Sequence, residues 1–230
     1  MSTARHLCEN QLLASLPAEE FTRLAPDLEL VPMSLGQSIY EPGIQIQHVF
    51  FPTTAIVSLH YEMDDGSLAE IAVVGKEGIV GIALFMGGET TLSRAVVQSA
   101  GEAYRLKGQL LKREFHRAGP LQRILMRYTQ ALLTEMAQTL VCIRHHSLDQ
   151  QFCRWLLRRF DRLSANSLVM SQETIANILG VRRAAISELA ISLRKAGLIK
   201  YERGRIALLD RPGLEARACE CYATIRGEFD

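Results

Sequence analysis

Residues 170–198 read MSQETIANILGVRRAAISELAISLRKAGL, and the fold turns on this stretch. It divides into two short helices around a glycine. Ser171 precedes the first helix, where its hydroxyl can cap a free backbone N–H of the opening turn. Ile175, Ile178 and Leu179 form one apolar stripe. Gly180 ends that helix, because a left-handed C-terminal residue is free of a Cβ clash only in glycine. Ile186, Leu189, Ala190 and Leu193 line one side of the second helix, and Ala176 is small enough to let the two helices cross closely. The opposite side carries Ala184, Ser187, Glu188 and Ile191, with Arg182 and Arg183 at its start. This is the layout of a DNA-binding helix-turn-helix. An ordinary pair of core helices would share the apolar spacing, so the flanking sequence has to distinguish the two.

Downstream, Gly197 closes the second helix. Residues 198–201 and 206–209 then read as two strands around Glu202-Arg203-Gly204-Arg205, a small hairpin tipped with arginines. A helix-turn-helix beside a basic hairpin is far more specific than either piece alone, and it makes residues 149–210 a winged DNA-binding module. Upstream, residues 149–163 form an amphipathic helix, with Phe152, Trp155, Leu156 and Phe160 expected inward and Arg154, Arg158, Arg159 and Arg162 outward. Residues 164–167 are expected to be a polar loop, and residues 212–226 one short terminal helix.

The front of the chain has a different texture. Residues 9–26 look helical, and Pro17 opens a second short helix. From Leu28 to Leu106, short β-rich runs alternate with turn signals such as Glu41-Pro42-Gly43, Asp64-Asp65-Gly66 and Ala100-Gly101. That pattern predicts an antiparallel barrel or roll. A long helix follows over residues 120–143, with Leu125, Leu132, Met136, Leu140 and Ile143 spaced like a seam between two subunits. His145-His146-Ser147 interrupts it, suggesting a hinge. Neighbouring residues on a helix diverge by about 100°, so His145 and His146 are expected at a solvated helix end and not on one metal.

The composition, 48% hydrophobic and 22% charged, describes a globular protein with a real core. Residues 1–143 hold 11 basic and 15 acidic side chains, and residues 144–230 hold 15 and 10, so the back half is the one suited to a polyanion. No signal peptide and no membrane span are expected. Five scattered cysteines (Cys8, Cys142, Cys153, Cys219 and Cys221) favour a reducing cytoplasm over a disulfide scaffold. Cys219 and Cys221 have no paired cysteines or histidines close by in sequence, so no metal site is expected. Nor is an enzyme. Gly75, Gly78 and Gly81 do not form a phosphate loop followed by lysine and serine, and no nucleophile–base set stands out.

Two segments carry a family resemblance: YEPGIQIQHVFFPTTAIVSL over residues 40–59 and SQETIANILGVRRAAISELAISLRKAGLI over residues 171–199. With the order of elements, they resemble the cyclic-AMP receptor protein/fumarate-nitrate regulator (Crp/Fnr) superfamily of bacterial transcription factors over nearly the whole chain. Ala176, Gly180, Val181, Ile186 and Leu189 stand at the superfamily's scaffold positions. The resemblance implies an α+β protein with three parts. These are an N-terminal antiparallel β-roll of the cyclic-nucleotide-binding type (residues 1–118), a dimerisation helix (119–146) and a C-terminal winged helix-turn-helix (147–230). It implies a homodimer on a palindromic double-stranded DNA operator, with RNA polymerase as a further candidate partner.

The sequence departs from the superfamily in two places. Members that bind cyclic AMP carry Gly-Glu and Arg-Ser pairs for the ribose and the phosphate; the matching positions here, a candidate effector pocket, are Gly81-Ile82 and Arg94-Ala95. Ile82 cannot accept from a ribose hydroxyl, so tight cyclic AMP binding is not expected and no effector is identified. The iron–sulfur branch needs several N-terminal cysteines, where only Cys8 is present, and nothing marks His48 or His60 as a haem ligand. In the reading helix, well-known members have Arg-Glu and then Arg, whereas this chain has Arg183-Ala184 and Glu188. Arg183 suits guanine, Ser187 either kind of base edge, Glu188 cytosine N4 and Ile191 a thymine methyl. Ser171, Arg182, Lys200, Arg203 and Arg205 are expected on phosphates. The rival from another class is a sensing roll whose back half mainly binds a protein partner; the arginines of the wing and the reading helix argue against it.

Overall fold

The structure is a computed structural model that describes residues 9–64, 66–163 and 166–229. The chain divides into two compact units, residues 1–60 with 72–132 and residues 61–71 with 133–230.

The first unit opens with helices α1 (Gln11–Ala14) and α2 (Ala18–Leu24). Asn10 caps α1 and is fully buried, and its amide donates to Pro52 O and Gly78 O, both at 2.9 Å. One side chain thereby satisfies two buried carbonyls, one at the end of a strand and one in a turn. Strands β1 (Glu29–Met33), β2 (Ser38–Tyr40), β3 (His48–Pro52), β4 (Ile56–Glu62), β5 (Leu68–Val74), β6 (Arg94–Ser99) and β7 (Gly101–Lys107) follow. They form a three-stranded sheet ordered β1-β7-β3 and a four-stranded sheet ordered β2-β6-β4-β5. β7 runs antiparallel to both its neighbours, and β6 to β2 and β4. Alternate residues turn inward, as a pleat with one buried face requires: Val49 and Phe51 on β3, Ala95 and Val97 on β6. The predicted roll is therefore present. The helix α3 (Gly108–Phe115), unpredicted from the sequence, follows β7 and buries Leu111 and Phe115.

Helix α4 (Pro120–His145) begins in the first unit and ends in the second. Its first turn is held by Glu20, whose carboxylate accepts from Leu121 N–H at 2.7 Å. Gly78 lets α4 approach, since a Cβ there would overlap the Tyr128 ring. The residues expected along a seam do not share one surface: Leu140 and Ile143 are exposed, but Leu125 and Leu132 are not. Leu125 and Leu132 are 0% and 1% exposed, within the protein's own core, while Met126, Leu133, Leu140, Val141 and Ile143 are exposed. A heptad count starting one residue later follows the exposed face through Met126, Leu133 and Leu140.

The second unit contains α5 (Leu148–Arg162), β8 (Ser167–Val169), α6 (Gln172–Leu179) and α7 (Arg183–Lys195), then β9 (Ile199–Glu202), β10 (Arg205–Leu208), α8 (Arg211–Arg217) and α9 (Cys221–Phe229). Ser147 and Gln150 form a reciprocal capping box that restarts the helix two residues after His145. The hinge expected there is a clean break between two helices. Two further expectations need correction. The end of the supposed polar loop is strand β8, paired to β10; residues 164 and 165 lie outside the described residues. The tail is two helices, broken at Ala218.

The arginines of α5 do not face outward. Arg154, Arg158, Arg159 and Arg162 are between 2% and 6% exposed. Arg158 donates from Nη2 to Glu135 Oε2 at 3.1 Å, and Arg162 does the same. Arg159 bonds Glu70 and lies 3.6 Å from the centre of the Trp155 ring. Burial pushes the Glu135 carboxyl up, but Arg162 and Arg158 outweigh it and hold it below the usual carboxylate range. The helical wheel failed here because it ranks arginine as solvent-seeking, whereas two buried carboxylates from distant segments turn this face into a second interior. The apolar face of α5 packs as predicted, with Phe152, Leu156 and Phe160 in a core shared with Ile175, Ile186, Leu193 and Ile206.

Candidate nucleic-acid interface

The local chemistry of the two helices is as the sequence implies. Ser171 caps α6, accepting from Thr174 N–H at 3.0 Å. Gly180 takes φ 64°, and Val181 N–H returns to Ala176 O at 2.9 Å, which closes the turn. Ala176, Ile186, Ala190 and Leu193 are all 2% exposed or less, so small and branched residues alternate where α6 meets α7.

The wing is fastened to this pair. Met170 N–H donates to Gly204 O at 2.7 Å, and the Tyr201 hydroxyl donates to Met170 O at 2.8 Å. Both bonds end one residue before the cap of α6, so the wing and the helix-turn-helix are held in register. At the wing tip Arg203 has φ 48° and Gly204 φ 77°. Two consecutive positive φ values fit the right-handed twist of the strands, and they make a two-residue turn of the I′ kind.

Arg182, Arg183, Ala184, Glu188, Ile191, Lys200, Arg203 and Arg205 are all exposed, as a contact surface requires. Ser171 is exposed as well. Ser187 is only half-buried, and its hydroxyl already donates to Gln172 Oε1 at 2.6 Å, which leaves it an acceptor toward a ligand. Arg205 reaches Ser167 Oγ at 3.3 Å, and Lys200 pairs with Glu202 at 3.2 Å; both interactions are solvent-facing and weak. Arg183 lies 3.9 Å from Glu173, a loose pair at the edge of contact.

Ser171, Arg183, Ile191 and Arg203 line one cleft between the two helices and the wing, joined by Arg194. Arg194 is a residue the sequence reading passed over. Its signal was available, because positions 183, 187, 191 and 194 share one helical face. A second cleft runs along the outer side of the wing past Lys200, Arg203 and Arg205. Between positions 171 and 205 the exposed charges are seven basic (Arg182, Arg183, Arg194, Lys195, Lys200, Arg203, Arg205) and three acidic (Glu173, Glu188, Glu202). The basic surface therefore survives after the four buried arginines of α5 are discounted. Arg182 precedes α7 with no side-chain cap, and no acidic residue stands in that helix's first turn. The positive end of the helix dipole is thus left open to an anion.

These features match known proteins. Residues 150–217 match the family described as the Crp-like helix-turn-helix domain. FixK2 from Bradyrhizobium japonicum is similar in structure, with a TM-score of 0.72 at 17% identity over 84% of this chain and 98% of that one. A CRP-family transcriptional regulator from Thermus thermophilus gives 0.66 at 21%, over 82% and 96%. The cyclic-di-GMP-responsive global regulator CLP of Xanthomonas campestris gives 0.65 at 16%, over 84% and 100%. At these identities the likeness is one of fold, and the chain as a whole has the fold of the Crp/Fnr transcriptional regulators. No curated protein sequence matches. Among the described residues, no helix is long and apolar enough to cross a membrane.

The front unit holds the other predicted group. Gly81 has φ 101°, and a Cβ there would crowd Val49 and His48 O. Ile82 opens a short 3-10 turn, and Ala95 is fully buried. Arg94 donates from Nε to Glu41 at 3.1 Å. The Ser38 hydroxyl and the Arg94 guanidinium hold the Glu41 carboxyl below its usual range. The arginine corresponding to a phosphate ligand is therefore already matched by a carboxylate of the same chain. Cys8 lies outside the described residues.

Proposed function

We propose that this chain is a homodimeric, sequence-specific transcription regulator that reads DNA through α7 and does not depend on cyclic AMP. The observation that carries the reading is the single cleft where Arg183, Ile191 and Arg194 of the exposed helix face meet Arg203 of the wing. An apolar residue flanked by guanidinium groups on one helix face suits a major groove, where thymine methyls and guanine O6/N7 lie side by side. Ser171, Arg182, Lys200, Arg203 and Arg205 surround this face and would take phosphates, setting affinity and its salt dependence. Ser187 and Glu188 would add to base reading, while Ala184 leaves room for the backbone to approach.

The exposed stripe of α4 supports the dimer. Leu133, Leu140 and Ile143 are 53%, 70% and 58% exposed, more apolar surface than a lone helix leaves in water without cause. Two copies joined there would present reading helices about 34–36 Å apart, so the operator is a rough palindrome. Cyclic AMP independence is supported by Ile82 in place of a ribose acceptor and by the Glu41–Arg94 pair. We place the protein in the cytoplasm, with RNA polymerase as the partner through which a bound dimer acts on transcription.

The test is selection of bound fragments from genomic DNA, followed by gel shift of the recovered site. A shared palindromic motif is expected. Arg183→Ala should weaken binding to it by about 1–3 kcal/mol and relax the preference at one base per half-site. Recovery of no common motif at any salt would defeat the reading. A calorimetric titration with cyclic AMP showing micromolar or tighter binding would defeat the claim of independence.

A further inference from the structure

Four side chains that are scattered in the sequence meet in the second unit, away from the reading face. Cys142 and His146 lie on and just beyond the last turn of α4; Cys221 opens α9 and Cys219 lies two residues before it. The three cysteines are 0%, 5% and 0% exposed and form a small core cluster of their own, without an aliphatic member. Their sulfurs and a ring nitrogen of His146 all lie within 4.8 Å of one another. Cys142 Sγ is 3.5 Å from Cys219 Sγ, and Cys221 Sγ is 3.5 Å from His146 Nδ1.

From this geometry we propose that Cys142, His146, Cys219 and Cys221 are the ligands of one tetrahedral zinc ion. It would fasten the C-terminal helix α9 to the end of α4. A tetrahedral zinc with Zn–S of about 2.3 Å and Zn–N of about 2.0–2.1 Å sets its sulfurs about 3.8 Å apart, and sulfur and nitrogen about 3.5 Å apart. The two close pairs already stand at such separations, so a metal needs only small movements. Three thiolates with one imidazole is a closed, structural donor set that suits zinc over hard cations such as magnesium or calcium.

The surroundings fit the same role. His146 Nε2 lies 3.1 Å from Glu220 Oε1. A carboxylate there holds the proton on Nε2 and leaves the Nδ1 lone pair facing the sulfurs, the arrangement that orients metal-bound histidines. The Gln138 amide donates to Cys221 Sγ at 3.1 Å, a bond that strengthens when the sulfur is a thiolate. His146 is 14% exposed at its side chain, so the cluster is open to solvent on one side. Binding releases the thiol protons to solvent and leaves every oxidation state unchanged. The ion would join residues 77 positions apart, restraining a long loop that the unfolded chain leaves free.

The test uses the full chain, reduced and treated with a chelator, and titrates it with cobalt(II) and then zinc. Cobalt is expected to bind once per chain with strong visible absorption and a thiolate charge-transfer band, and zinc is expected to displace it. Zinc should also raise the melting temperature of the wild-type protein. Cys142→Ser and Cys219→Ser should weaken cobalt binding and reduce the charge-transfer band, while Cys153→Ala, which alters a buried cysteine outside the cluster, should leave both unchanged. Glu220→Gln should weaken binding by about 10–100-fold. The wild-type titration decides the matter even if a variant fails to fold. A saturating stoichiometry far below one per chain would overturn the proposal. So would a cobalt spectrum without the charge-transfer band, or a Cys142–Cys219 disulfide in a protein that takes up no metal once reduced.

Discussion

Arg203 stands at the tip of the wing with φ 48°, in the left-handed region that costs an ordinary residue about 1–2 kcal/mol. A two-residue turn of this kind favours asparagine or glycine there. An arginine kept there at that cost fits the proposed phosphate contact. Arg203→Gly is therefore expected not to lower the melting temperature. It should weaken DNA binding and reduce the steepness of the salt dependence by about one counterion, measured as the slope of log affinity against log salt. A fall in stability with unchanged DNA affinity would show the opposite division of roles. The arginine was legible in the sequence as a candidate contact; its strain was not, because φ at a hairpin tip depends on the register of β9 with β10, in which Glu202 faces Arg205.

At the scale of elements, α5 shows where helical periodicity stops being sufficient. Its apolar face was read correctly, but its charged face was not. Glu135 is 23 residues from Arg158 and 27 from Arg162, and Glu70 is 89 from Arg159. No local pattern couples such positions. Removing the charge of Glu135 leaves guanidinium groups buried without their carboxylate, which is costlier than the intact pair is favourable. Glu135→Gln should destabilise the protein by about 3–5 kcal/mol in denaturant unfolding. The depressed carboxyl sets the sign of the pH effect. Its contribution is fully present above the unfolded glutamate value of about 4.3 and is lost as pH falls through the lower folded value. In acid titrations the stability of wild type should fall toward that of Glu135→Gln, the gap narrowing only below about pH 4.

For the whole molecule, the exposed stripe of α4 is the feature with most consequence. A seam was expected through Leu125, Leu132, Met136, Leu140 and Ile143; Leu140 and Ile143 are exposed, but Leu125 and Leu132 are not, because spacing alone cannot tell an interior face from an exterior one. The roll claims that face, through Leu121, Leu125 and Tyr128, each 4% exposed or less, and leaves Leu133 and Leu140 outward. Leu140→Glu would place a charge in the proposed subunit contact. It should shift sedimentation from dimer to monomer with little change in monomer folding. It should also weaken binding to a palindromic site far more than binding to a single half-site, since the two reading heads lose their linkage. Unchanged sedimentation would remove this face from the dimer.

The sequence by itself determined the helix-turn-helix, the wing, the long helix and the roll. Each rests on short-range physics: a serine cap, a left-handed Gly180, a glycine turn, pleat alternation and period 3.6. It also grouped the candidate reading residues, since positions spaced along one helix face share a side wherever that helix docks. Only the tertiary structure decided which arginines are exposed and which are interior, which face of α4 is left over, and that Cys142, His146, Cys219 and Cys221 converge. Those outcomes depend on partners tens of residues apart, brought together by packing around a shared core. A sequence read window by window does not contain that distance.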